Sequence, residues 1–198
     1  YEEMKLKIAE ARYNANPSDQ ETALRMFDTY VSINDFMKMN ATSMKIANTF
    51  NMPEYTLHSI QSLYMLSQTE NAMPNTIDLA YMFAKKHIDK YTEEDKVFPS
   101  DGKLYLKILK KKYMTEEAQK FLETHPETYS SYLERTRENI DILKHEVSHL
   151  QEEGKSNELK STQIKLLKQV KDVIKQNYEK SRIFVNHYKS EEEKEQTD

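Results

Sequence analysis

Residues 30–68 read YVSINDFMKMNATSMKIANTFNMPEYTLHSIQSLYMLSQ, and the fold follows from how this stretch alternates. Ahead of it, Ala23, Leu24, Phe27, Tyr30 and Val31 recur at helical spacing. Asn34-Asp35 then interrupts the pattern, and asparagine tolerates the left-handed conformation that a short interhelical turn requires. A second apolar stripe follows in Phe36, Met39, Met44, Ile46, Ala47 and Phe50. Pro53 stands where proline is favoured, in the first turn of a third helix that carries Tyr55, Leu57, Ile60, Leu63, Tyr64 and Leu66.

Outward from this stretch the same alternation continues. Met4, Ile8 and Ala11 mark a first helix, closed by Asn16-Pro17-Ser18, with Ser18 and Glu21 spaced as a capping box. Pro74 opens a helix with Ile77, Leu79, Ala80, Met82, Phe83 and Ile88. The run TEEDKVFPSDGK, residues 92–103, reads as a loop. Leu104 to Tyr113 reads as a helix, Thr115 caps a short one, and Pro126 ends it. Glu127–Glu152 and Lys155–Tyr188 read as two long helices joined at Gly154. Leu133, Ile140, Leu143, Val147 and Leu150 form the seam of the first, and Leu159, Leu166, Val170 and Val173 that of the second. The expectation is an all-α chain, an α-solenoid of helix pairs with a long C-terminal antiparallel helical hairpin. Residues 1–126 form the repeats, 127–189 the hairpin packed on the same solenoid, and 190–198 a disordered acidic tail.

Composition agrees. The chain has 2 glycines, where an average protein of this length carries roughly 14. Hairpin turns, a P-loop and a Rossmann fingerprint all draw on glycine at fixed places, so the composition argues against those folds. The net charge of -4, with both signs interspersed, calls for neither a nucleic-acid nor a membrane partner. There is no cysteine, hence no disulfide framework or thiolate zinc site, which suits a reducing compartment. No apolar run approaches the length of a membrane span. The chain opens with Tyr1 in mid-helix and reads as a piece of a longer protein.

The helix pairs resemble degenerate tetratricopeptide (TPR) repeats, with Tyr30 near the end of the first helix, Asn34 at the usual turn glycine, and Phe36 after it. Met114-Thr115-Glu116-Glu117-Ala118 resembles the turn and opening of a second helix. The stretch from Tyr30 to Gln68 also resembles the auxiliary subunit of the NatB N-terminal acetyltransferase complex. The similarity lies in Phe36, Lys38, Met39 and Met44, then Pro53, Tyr55, Ser59, Ser62, Leu63, Met65 and Ser67. It runs on through Leu79-Ala80, Leu104-Tyr105, Ile108-Leu109 and Glu117-Ala118, to about Glu123. The resemblance implies a cytoplasmic, non-catalytic scaffold without cofactors, wrapping a separate catalytic acetyltransferase subunit and placing it near the ribosome. That enzyme acts on nascent chains starting Met-Asp, Met-Glu, Met-Asn or Met-Gln. Its acetyl-CoA loop, an Arg-x-x-Gly-x-Gly/Ala turn, is absent from this sequence.

Other motifs compete with this reading. His145-Glu146-Val147-Ser148-His149 matches H-E-x-x-H, in which two histidines one turn apart bind zinc and the glutamate activates water. No strand is legible to hold a substrate beside it, Glu152 stands where a metzincin needs glycine, and no further histidine occurs before His187. Glu158 and Glu179 are arbitrary choices for a third ligand, and the two histidines read more simply as flanking the hairpin seam at Val147. Lys110-Lys111-Lys112 could meet RNA phosphates, but reads as a solvated helix end suited to the dipole. Tyr55, Tyr64, Tyr81, Phe83, Tyr91 and Tyr105 could line a peptide groove, but read as inter-repeat core, as do Met39, Met44, Met65 and Met82. Three functions are therefore carried forward: a NatB-type scaffold, a generic TPR-type adaptor, and a zinc peptidase. No catalytic, cofactor or metal residue is assigned.

Overall fold

The computed structural model describes residues 1–94 and 97–197. Asp95 and Lys96 of the expected loop, and Asp198 of the expected tail, lie outside the described residues. Among the described residues there are nine α-helices, one 3-10 turn and no strand. They fall into two compact units, Tyr1–Lys112 and Tyr113–Asp198.

The first unit holds α1 (Glu2–Ala15), α2 (Gln20–Ser32), α3 (Phe36–Thr49), α4 (Glu54–Ser67), α5 (Thr76–Glu93) and α6 (Pro99–Lys111). Each helix packs on the next, and α4 also touches α6. Contact between a helix and the next but one is what stacked helix pairs produce. The turn between α2 and α3 is the one expected: Asn34 has φ 55°, and the Asp35 carboxylate accepts from the Lys38 amide at 3.2 Å. Asn51 (φ 52°) makes the next reversal.

Three boundaries differ from expectation. The cap of α2 is Asp19, not Ser18; its carboxylate accepts from the Thr22 amide at 3.0 Å. Aspartate caps as well as serine, and the turn at Pro17 leaves Ser18 outside the helix. Thr92 and Glu93 still belong to α5, and Pro99–Lys103 already belong to α6. Proline, serine and aspartate suit a first helical turn as well as a loop, and Gly102 is buried within that turn. Pro74 precedes the helix it was expected to open, which begins at Thr76 after Asn75.

The core of this unit is built from Met26, Phe27, Ile46, Ile60, Leu63, Ala84, Leu106 and Ile108 and their neighbours. Fully buried Ser43, Ser59 and Ser62 keep the helices close, and each hydroxyl has an acceptor. Ser43 donates to the Met39 carbonyl and Ser62 to the His58 carbonyl, both at 2.7 Å, and Ser59 donates to Asn40. Met65 and Met82, expected in the core, are exposed, and Met39 and Met44 are half-buried; Met26 is the methionine the core swallows.

The α1 helix buries no residue. Tyr13 packs it against the Ala23–Phe27–Ile46 cluster. Its Glu10 carboxylate accepts from the Tyr30 hydroxyl and the Lys38 ammonium, each at 3.1 Å. Those bonds, Lys38 first, hold Glu10 below the ordinary range, while burial and then Glu10 push Tyr30 up to about 12. The contribution of Tyr30 is therefore complete below its ordinary pKa of 10.0 and is lost as pH rises from there through about 12. An ultraviolet tyrosinate titration should show a late-ionising group of phenols, Tyr30 among them, and Tyr30→Phe should reduce its amplitude by one phenol.

The second unit holds α7 (Thr115–Thr124), the 3-10 turn Pro126–Thr128, α8 (Tyr132–Glu153) and α9 (Ser156–Thr197). Thr115 is not a cap: its hydroxyl donates to Glu146, and Met114 holds the cap position. Ser131 caps α8, accepting from the Glu134 amide at 3.1 Å, while the Glu134 carboxylate reaches back to the Ser130 amide at 3.1 Å. Ser131→Ala should lower the stability of this unit by about 1 kcal/mol in urea unfolding. Gly154 ends α8 at φ 68°, a left-handed cap that reverses the chain. Ile142, Leu143 and Leu150 are buried in the resulting seam, and Leu159, Leu166, Val170 and Val173 are half-buried there. The second helix continues past its expected end at Tyr188, and the Glu- and Lys-rich residues 190–197 form its last turns.

Candidate functional site

A groove opens in the first unit between the even-numbered helices. Helix α2 supplies Phe27, Asp28 and Val31, α4 supplies Tyr55, His58 and Met65, and α6 supplies Leu104 and Lys107. Their positions follow from stacking: alternate helices of successive pairs lie side by side and share one face. The cavity measures about 530 Å³, within the range of small-ligand and peptide side-chain sites.

Its floor is aromatic. Phe27 and Tyr55 meet edge to face at 5.3 Å between centroids, and His58 closes the trio at 5.4 Å from Phe27 and 5.2 Å from Tyr55. Edge-to-face contacts fix ring orientation, so the trio is a preset surface. Burial, then the charges of Asp28 and Glu54, push the Tyr55 phenol up, so it stays a neutral hydrogen-bonding group at physiological pH. Burial likewise raises Tyr64, opposed by Lys110, and its hydroxyl accepts from the Gln68 amide at 2.8 Å. Asp28 on one wall and Lys107 on another offer opposite charges, with Gln61 between them in sequence. Such a site can seat apolar side chains while hydrogen-bonding a polypeptide backbone.

The structure divides the aromatic residues singled out above. Tyr55 and Tyr64 line the groove. Tyr81 stacks on buried Tyr105 at 6.4 Å, and Tyr91 packs on His87 at 4.6 Å, so these are internal contacts. Phe83 is half-buried. Of the lysine run, Lys112 turns inward: it pairs with Asp78 at 2.6 Å and lies 4.6 Å over the Tyr81 ring. Phe27 is core, as expected, and also forms part of the groove floor, whereas nothing in the sequence singles out His58, Gln61 or Lys107. Single polar residues on an amphipathic helix carry no periodic signal.

The H-E-x-x-H residues sit on α8 with other engagements. His145 Nδ1 lies 2.8 Å from the Asp141 carbonyl oxygen. Glu146, the residue that would activate water, accepts from Thr115. His149 stacks on Tyr113 with centroids 4.0 Å apart and planes 8° from parallel, and its Nε2 lies 3.1 Å from Glu153. Among the described residues, no three His, Asp or Glu side chains group as metal ligands would. A second cavity of about 560 Å³, beside α7 and α8, is lined largely by polar side chains such as Glu116, Gln119 and Arg135.

Among the described residues, no helix is long and apolar enough to cross a membrane. A family model described as "Psidin, N-terminal TPR repeats region" matches residues 2–167. No curated protein matches the chain. The match spans both units as far as the first turns of α9, and it agrees with the all-α, TPR-like solenoid of helix pairs. Repeats of this kind are protein-interaction scaffolds and are typically non-catalytic.

Proposed function

Because the chain belongs to the Psidin N-terminal TPR repeats family, we propose that it is a non-catalytic scaffold that holds a catalytic acetyltransferase subunit of NatB type. In this reading the partner seats apolar side chains on the Phe27–Tyr55–His58 floor, and the scaffold presents it to nascent chains at the ribosome in the cytoplasm. The aromatic groove between α2, α4 and α6 is the observation that carries it. The resemblance over residues 30–123 supports it, because it lies within the family match and includes Tyr55 and Leu104. Affinity in such interfaces concentrates in a few buried aromatic anchors.

The test is co-purification of the chain with a NatB-type catalytic subunit, followed by acetyl transfer to a peptide starting Met-Asp, with and without the chain. Co-elution and faster transfer are expected. Failure to co-elute, with the chain folded and helical, overturns the reading.

A second reading, a TPR-type adaptor for a peptide segment of another protein, is favoured by the size of the cavity. A space of about 530 Å³ suits a few side chains of one segment. Capture of short peptides by the groove, with no affinity for the acetyltransferase, would select it.

A further inference from the structure

Helix α9 has two apolar stripes. One packs against α8, as described. The other repeats at alternating steps of three and four residues: Ile164, Leu167, Ile174, Tyr178, Val185 and Tyr188, with Lys171 and Ser181 in the two remaining places. All six apolar side chains are 46% to 69% exposed. The stripe extends about 36 Å along the helix. This is the pattern of a coiled-coil seam, in which each side chain inserts between residues of a facing helix.

The edge of the seam is charged in a regular way. Lys168, Lys175, Arg182 and Lys189 follow one another at steps of seven, all exposed. Lys171 sits within the seam itself. From Ile164 to Lys189 there are seven lysines and arginines against two acids, Asp172 and Glu179, in a chain whose net charge is -4. Arg182 is paired with Glu179 at 3.1 Å. Among the described residues, Lys168, Lys171, Lys175 and Lys189 make no ion pair.

This pattern selects the occupant. A second copy of α9 is a poor one. Placed antiparallel, it would set Lys168 against Lys189 and Lys175 against Arg182; placed parallel, it would set Lys171 against its own counterpart inside the seam. Like charges across such an interface are unfavourable. Nucleic-acid phosphates would satisfy the lysines and leave the apolar row uncovered. A membrane surface favours a wide apolar face, whereas α9 exposes a narrow row over most of its length, widened only near its C-terminal end by Ile183 and Phe184. A helix with apolar residues at three-and-four spacing and acids along its edges satisfies both features at once.

We propose that this face of α9 docks an amphipathic, acid-edged helix of a partner protein, independently of the groove in the first unit. Acidic residues of the partner pair with Lys168, Lys175, Arg182 and Lys189, and one acid opposite Lys171 sets the register.

The test uses the full chain and two synthetic helical peptides of about four heptads. They share an Ile/Leu seam, and their flanking positions are all Glu in one and all Lys in the other. Fluorescence anisotropy should show the Glu peptide binding at least tenfold more tightly, and less tightly in high salt. In a Lys168→Glu, Lys175→Glu, Lys189→Glu variant the preference should reverse. Ile174→Asp, on an exposed position, should abolish binding of both peptides while leaving the circular dichroism of the chain unchanged. Equal affinity for the two peptides, or binding of the Glu peptide unaffected by Ile174→Asp, overturns the proposal. So does an outcome in which phosphatidylserine vesicles or duplex RNA bind this face and the Glu peptide does not, or in which sedimentation shows self-association that Ile174→Asp abolishes.

Discussion

Ile60→Ala should destabilise the first unit by about 2–5 kcal/mol. Ile60 is 1% exposed at the centre of α4, the helix that touches α3, α5 and α6. Truncation removes three carbons from a buried position on a helix packed against three others, and packed helices close in on a void only in part. The loss is a large part of the whole, since a domain of this size is stable by about 5–15 kcal/mol. In stacked helix pairs, stability is the sum of each pair and its interfaces with its neighbours. Damage at α4 therefore also weakens the helices on either side of it. The thermal midpoint of the first unit should fall by about 10 °C or more. A change below about 1 kcal/mol would mean that α4 is not the keystone of this unit.

The second large effect concerns binding. Tyr55→Ala should weaken capture of the protein partner by at least tenfold, because it removes the most accessible large ring of the aromatic trio and two of its three ring contacts. Tyr55→Phe separates two contributions. The ring contacts persist, and only the phenol, held neutral by burial, is lost. If the phenol serves as a hydrogen-bond donor to the partner, Tyr55→Phe should cost about 1 kcal/mol of affinity, and otherwise nothing. Tyr55 is only half-buried, so unfolding curves of the two variants should differ far less than their affinities. Equal binding by wild type and Tyr55→Ala would remove the groove from the account.

Much of the fold was legible because its signals are local and steric. Asn34 could be read as left-handed because few residues tolerate that conformation, and its φ of 55° agrees. Gly154 announced the hairpin for the same reason. The stripes of α2 and α4 marked their buried faces because a helix presents every third or fourth residue to the same side. The errors have a common cause as well. Pro99, Ser100, Asp101 and Gly102 favour either a loop or a first helical turn, and only packing against the rest of the unit decides. Asp101 is buried beside His87, at 3.4 Å, which a sequence does not reveal. Met65 and Met82 lie on apolar stripes yet stay exposed, Met65 on the wall of the groove.

The groove was half legible. Tyr55 and Tyr64 stood out as a possible lining, but what makes a groove is the side-by-side placement of α2, α4 and α6. That is a relation between residues dozens of positions apart, such as Phe27 and Lys107. The zinc motif illustrates the converse. His145, Glu146 and His149 have the right spacing, yet Asp141, Thr115, Tyr113 and Glu153 already engage them.

Hydrogen–deuterium exchange of the chain with and without a NatB-type catalytic subunit tests the proposed role of the α2–α4–α6 groove. Exchange should slow across Phe27–Val31, Tyr55–Met65 and Leu104–Lys107 on complex formation. A stable complex that leaves those three segments unchanged would contradict that role.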